Sequence, residues 1–334
     1  MNLTAKQQNL YHTDLKLTLP VRILNEDKRF FSRIGISYLI IAILAIIFQT
    51  IMAYIVSGHN PSYLKDYNVL TIISSLSNYI LVLPIFIYMM GKLESERPEK
   101  ETLGIKKYFE YICITITLMW IGNLAGTIIT ALIGFKLGNG IVNPVEQVIE
   151  NSSIYINLII ISIIAPIFEE FMFRKMLIDR TIKYGAKLSI LLSALIFALF
   201  HGNLSQFFYA FLLGGFFAYV YIKTGRIIYP ITLHIIINLF GSVIATAFSK
   251  AAENVTAAMT IANISDITIV AVYLLVFIVA LIIGVYTLID NYKFKLNDDK
   301  REIYLKKPVQ TVILNFGMIC FIVFHIWKIL MSFF

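Results

Sequence analysis

Charged residues are scarce in this chain. Only 14% of its 334 residues are Asp, Glu, Lys or Arg, against 58% hydrophobic, and the mean hydropathy is +0.79. A soluble domain carries about 25% charged residues, so the composition places the chain among polytopic membrane proteins. Cysteine is scarcer still: Cys113 and Cys320 both sit inside apolar runs, and no CxxC pair or Cys/His zinc spacing accompanies them. Neither a disulfide framework nor a structural zinc site follows. The HExxH and GxSxG patterns are absent, as is an intramembrane Ser/Lys dyad, which speaks against a nucleophilic serine mechanism. The first 33 residues are polar and lack the short apolar stretch of a cleavable signal peptide, so insertion is expected to use an internal helix. The formal net charge of +8 does not imply nucleic acid as a partner, because the Lys and Arg residues cluster between apolar runs, as cytoplasmic loops require.

Long apolar runs are what the chain has in quantity. Nine of spanning length or slightly less are legible, at 35–57, 69–91, 109–134, 153–180, 187–201, 204–222, 227–248, 267–289 and 309–332. The loops between them alternate in positive charge. The N-terminus holds Lys6, Lys16, Arg22, Lys28, Arg29 and Arg33, whereas the next loop holds Lys65 alone. Loops with Lys100, with Arg180 and Lys183, with Lys223 and Arg226, and with Lys293 to Lys307 are rich, and those between them are poor. The expected fold is therefore an all-α polytopic membrane protein of about nine transmembrane helices, N-terminus cytoplasmic and C-terminus outside. Leu15–Leu24 is either a surface helix or a loose tail, and Ile141–Asn151 reads as a short interfacial helix. A division falls near residue 145. It separates a cytoplasmic tail (1–33) and three helices (34–145) from a polar-bearing block (146–250) and two final helices (251–334).

The central block holds ionisable groups at bilayer depth, where a charge costs about 3 kcal/mol or more and is retained for pairing or function. Glu169 and Glu170 are adjacent, and Arg174 follows Glu170 at i+4, on the same helix face. Glu169 lies about 100° further round and has no partner on its own helix. His201 ends one apolar run; His234 and Asn238 stand at i,i+4 in another. With a rise of about 1.5 Å per residue these groups converge towards mid-membrane, His201 fitting least well. Pro166, three residues before Glu169, is expected to free the carbonyl of Ser162, and Pro230 to act likewise before His234. Ala210, Gly214 and Ala218 form a small-residue face for close helix packing.

A free glutamate and two imidazoles around a wet cavity suit activation of water for attack on a carbonyl, with an imidazole or the Asn238 amide steadying the oxyanion. A second chemistry stays open: Glu169, His201 and His234 as three ligands of a zinc ion, with water in the fourth position. No other cofactor is suggested.

At these positions the sequence resembles a known family. Glu169-Glu170-x-x-x-Arg174, Phe197-x-x-x-His201 and His234-x-x-x-Asn238 look like the three motifs of the CAAX protease and bacteriocin-processing (CPBP, or Abi) family, intramembrane endopeptidases related to the type II CAAX prenyl endopeptidase. Phe-His-Gly-Asn at 200–203, Gly214-Gly215 and Lys223-Thr-Gly-Arg add to the likeness, which covers about 155–245. The resemblance implies that Glu169 activates water, that Glu170 and Arg174 support it, and that His201, His234 and Asn238 complete the water or oxyanion site. It leaves a metal undecided. It also implies a membrane-associated peptide or protein substrate and a bacterial plasma membrane. A non-catalytic immunity or partner-binding protein on the same fold, and a proton-coupled transporter, are the competing readings. Oligomeric state is left open.

Overall fold

A computed structural model describes residues 5–137, 144–257, 264–290 and 303–333. Every regular element among them is helical. Seven helices are long and apolar enough to cross a membrane, and two shorter apolar helices accompany them. In chain order they are α1 (Ala5–His59), α2 (Tyr67–Gly91), α3 (Ile105–Leu137), α4 (Ile154–Tyr184), α5 (Ala186–His201), α6 (Leu204–Thr224), α7 (Ile228–Thr256), α8 (Ile264–Asp290) and α9 (Phe316–Met331). Each corresponds to one of the nine runs read from the sequence. The helix α1 begins well before its apolar stretch, so no break marks residue 33. A short helix over Pro144–Asn151 occupies most of the segment expected at the interface. The residues just before it and the Lys293–Arg301 part of the last loop lie outside the described residues.

Two apolar cores hold the bundle together. One joins α1, α2, α4, α5 and α9 through Phe31, Tyr38, Phe86, Phe173, Phe197 and Phe321. The other joins α3, α6, α7 and α8 through Tyr111, Ile114, Phe217, Leu233 and Ala280. The helix α6 is shared, since it packs on both α5 and α3. Small residues make this possible. Ala210 and Ala218 are fully buried, and a Cβ at Gly214 would press on Phe197 and Ala194 of α5. On the other flank, Gly122 and Gly126 of α3 lie against the backbone of Tyr209 and Ser205. That Gly-x-x-x-Gly pair is a close-approach motif. Its spacing is visible in the sequence.

The prolines act in a different register from the one expected. Residues 157–164 of α4 are π-helical, and the N–H of Ala165 bonds the carbonyl of Ile160, five residues back. In that wider register the bond lost at Pro166 is the one to Ile161, not Ser162. The Asn238 amide donates to that same Ile161 carbonyl at 2.9 Å. Pro230 frees nothing, because it stands in the first turn of α7, where a missing N–H has no carbonyl to reach.

A second π segment, 171–176, follows the glutamate pair directly. The Tyr38 hydroxyl donates to the carbonyl of Met172 at 2.8 Å, and that of Ser193 to Phe173 at 2.9 Å. These side chains satisfy backbone acceptors that water cannot reach. Below it, Asp179 accepts from Lys175 at 2.5 Å and from the Tyr221 hydroxyl at 2.6 Å, tying α4 to α6. The segment between α2 and α3 runs across these ends. The Glu96 N–H donates to the Asp179 carbonyl and the Glu101 N–H to that of Thr224.

Candidate active site

Four of the six residues singled out from sequence come together. Glu170 and Arg174 are both fully buried, with the Arg174 Nε 2.9 Å from Glu170 Oε2. The other Glu170 oxygen, Oε1, lies 2.8 Å from His234 Nδ1. Since a carboxylate only accepts, that contact puts the proton on Nδ1 and turns Nε2 of the imidazole outward. There Nε2 faces Glu169 Oε2 at 3.7 Å, beyond direct hydrogen-bond reach. The Glu169 side chain keeps 26% of its surface accessible, while Glu170 keeps none. Adjacent glutamates thus occupy opposite environments: one is locked under the imidazole, the other borders an open space.

The Arg174 guanidinium has no well-aligned hydrogen bond to any of its three nitrogens. It lies 4.5 Å from the Phe197 ring and 5.7 Å from that of Phe217, so aromatic faces supplement its ion contact with Glu170. Phe197 is the hub of this arrangement. Its ring meets those of His201 at 4.7 Å and His234 at 5.9 Å, edge to face in both cases.

His201 adjoins the cluster through Phe197. Its Nδ1 is 2.8 Å from the carbonyl of Phe197 on its own helix. A carbonyl only accepts, so Nδ1 carries the proton and the neutral ring presents a lone pair at Nε2. Gly202 follows in the left-handed region, φ 68°, and turns the chain sharply into α6. Asn238 shares the His234 face of α7, but its amide nitrogen bonds the Ile161 carbonyl and does not touch the carboxylates.

Among the described residues no group of three or more His, Cys, Asp or Glu side chains gathers as a metal-binding set. Glu169 and the Nε2 of His234 are two of the three donors a His₂Glu zinc site needs. His201, the third, gives its Nδ1–H to the Phe197 carbonyl, the bond that commonly orients a zinc-ligating imidazole, and so keeps its Nε2 as a donor.

A cleft of about 260 Å³ opens between α2 and α4. Leu76, Tyr79, Ile160, Ile164 and Phe168 line it, and Phe168 is the residue before Glu169. Tyr79 stacks on Phe168 with ring centroids 4.6 Å apart. Tyr79 lies in a third π-helical stretch, 76–82, and a fourth, 239–244, begins just after Asn238. Two of these wide-turn segments, 171–176 and 239–244, directly follow a site residue, as π segments at functional sites often do.

Comparison with known proteins bears on this block. Residues 151–240 match the family model described as type II CAAX prenyl endopeptidase, Rce1-like. The resemblance to the CAAX protease family holds. The matched residues run from α4 into α7 and include all three motifs. Over 171 residues, 51% of this chain and 68% of its counterpart, the sequence is 26% identical to the protein named "Putative membrane peptidase YdiL" of Bacillus subtilis (strain 168). No solved structure matches. The helices outside the family block still contribute: α1 supplies Tyr38, α2 supplies Tyr79, and α3 supports Tyr209.

Proposed function

We propose that this chain is an intramembrane endopeptidase that hydrolyses a peptide bond of a membrane-embedded or membrane-anchored peptide by glutamate-activated water, in a bacterial plasma membrane. The observation that carries the reading is the pair of glutamates in unlike environments, Glu169 accessible and 3.7 Å from an imidazole whose far nitrogen is fixed by buried Glu170.

In this mechanism water enters the gap between Glu169 and the Nε2 of His234. Glu169 removes one proton, and the hydroxide attacks the carbonyl carbon. The lone pair on His201 Nε2 accepts the other hydrogen and fixes the attack direction. As the C–N bond breaks, Glu169 returns its proton to the leaving nitrogen, so the two products leave as acid and amine. The Glu170–Arg174 pair holds His234 in one tautomer and one orientation, the part a second carboxylate plays in many hydrolases. No step requires a metal. The apolar cleft beside Phe168 suits a hydrophobic segment of the substrate lying in the bilayer. Substrate candidates of this class are leader peptides of small secreted peptides and lipid-anchored C-termini.

The test is a comparison of membrane peptides from cells carrying the wild-type chain and cells carrying Glu169→Gln. Uncut precursors should accumulate in the mutant alone. Identical peptide profiles would count against the proposal.

A further inference from the structure

Two lysines inside other helices have carboxylates at hand: Lys107 lies 2.9 Å from Glu110 and Lys175 2.5 Å from Asp179. Lys328 of α9 is different. Among the described residues its ammonium makes no hydrogen bond, ion pair or ring contact, and no carboxylate bears on it. The family model stops well before α9, so no motif marks this residue.

The position is deep. The start of α9 is pinned to the cytoplasmic end of α1, where the Gly317 N–H donates to the Ser32 hydroxyl at 2.9 Å, next to Arg33. Lys328 stands roughly 16 Å further along its helix, about half way across a hydrocarbon core of about 30 Å. A lysine near the rim lifts its head into water, but this one folds inward. A Cβ at Gly202 would lie 2.6–2.8 Å from its Cδ, Cε and Nζ, so the side chain crosses the turn between α5 and α6. That turn follows His201 directly, and Lys328 is a charged neighbour of the His201 imidazole. The helix α9 is itself fixed there: His325, one turn before Lys328, gives its Nδ1–H to the Phe321 carbonyl at 2.8 Å and stacks on Phe200 of α5 at 5.7 Å.

Nothing beside this ammonium balances it. His201 and His325 offer no negative charge, and the carboxyl end of α5 offers only a partial one. Arg174, the other cation near the site, is met by Glu170 and has no solvent exposure, whereas Lys328 stays partly accessible. A cation at this depth is costly and is kept for pairing or function.

We infer that the Lys328 ammonium receives a carboxylate carried by the peptide substrate, within about four residues of the scissile bond. This rests on the peptidase reading and deepens it, by naming a charge that the substrate brings. The spacing comes from the path between the two groups. His234 and His201 flank the Phe197 ring at 5.9 and 4.7 Å, and an extended peptide advances about 3.3–3.6 Å per residue, so three or four residues span the distance to the turn. The carboxylate is that of an Asp or Glu side chain or of the chain terminus.

The experiment uses the full chain in detergent with a fluorogenic library of apolar peptides, taking forward the peptide that the wild type cleaves fastest. Each residue flanking its cut is replaced in turn by Asp and by Asn, and the parent peptide is compared as free acid and as C-terminal amide. One of these carboxylates should raise kcat/KM over its neutral counterpart by about 10–100-fold, the usual effect of a hydrogen bond to a charged group. An Asp preference assigns the anion to a side chain and a free-acid preference to the terminus; either upholds the inference. Lys328→Met should bring that ratio close to one without lowering the melting temperature, and Lys328→Arg should keep it. Lys328→Glu should reverse it, favouring Lys over Asp at that position or the amide over the acid. No carboxylate preference in the wild type, an equal preference in Lys328→Met, or a uniform loss across all peptides would overturn the inference and leave the peptidase reading standing. If the wild type cleaves no peptide, both fall together.

Discussion

Replacing Glu170 with Gln removes one negative charge from the most deeply buried part of the site. That charge is shared by two partners, Arg174 Nε at 2.9 Å and His234 Nδ1 at 2.8 Å, and neither Glu170 nor Arg174 has any solvent exposure. A glutamine oxygen can still accept from His234, but its amide cannot balance a guanidinium. Arg174 then keeps a full charge with only the faces of Phe197 and Phe217 beside it. Breaking a buried pair by removing one partner costs about 3–5 kcal/mol. Glu169→Gln differs in each respect. Its carboxylate is only a quarter exposed, lies at bilayer depth and has its nearest ionic partner at 3.7 Å, so removing its charge should not lower stability. The assay is thermal unfolding of both purified variants in one detergent, with peptide cleavage measured on the same samples. Glu170→Gln should melt well below the wild type; Glu169→Gln should melt with it and cleave nothing. The double variant Glu170→Gln/Arg174→Met should recover much of the lost stability, since no charge is left without a partner, yet stay inactive because His234 loses its anionic anchor. A Glu169→Gln protein less stable than Glu170→Gln would refute this division of labour.

His201→Ala should keep the protein in the membrane and lower cleavage by about 10²–10⁴-fold, the usual contribution of a positioned acid–base group, measured by single-turnover kinetics. Metal content of wild type, His201→Ala and His234→Ala should show no stoichiometric zinc; zinc bound by the wild type and lost on either substitution would favour the three-ligand alternative. Asn238→Leu should destabilise the protein by about 1–3 kcal/mol, because the Ile161 carbonyl loses its donor in a part-buried position; an unchanged melting temperature would show that the amide is not needed there. In a chain stripped of Cys113 and Cys320, single cysteines at Lys100 and His59 should label from opposite sides of the membrane, Lys100 from the cytoplasm. Labelling of both from one side would contradict the helix order inferred from loop charge.

The helices and the carboxylate cluster were legible because each leaves a local signature. Spanning length and loop charge define α1 to α9, and an i,i+4 spacing announces Glu170 and Arg174 as partners. The contact of His234 with both glutamates was foreseen only as convergence at a similar depth, since pairing across α4 and α7 depends on helix rotation. Register was the hidden variable. A proline reads as a lost i−4 bond, but α4 is π-helical ahead of Pro166, so the vacant acceptor shifts by one residue and draws in Asn238. The same widening after Glu170 exposes the carbonyls of Met172 and Phe173 to Tyr38 and Ser193, residues that carry no motif. Phe197 stood in a quoted motif, but an aromatic on an apolar helix reads as packing until a guanidinium is found against its face. Gly122 and Gly126 could have been found from their spacing alone, and with them the close approach of α3 to Tyr209.

The central claim is that Glu169 activates water for peptide cleavage. It is tested most directly with purified wild type and Glu169→Gln reconstituted in lipid vesicles with a fluorogenic library of apolar peptides in ¹⁸O-labelled water, the products read by mass spectrometry. The account predicts one ¹⁸O in the new C-terminal carboxylate of each wild-type product and no products from Glu169→Gln. Equal cleavage by both proteins would contradict it.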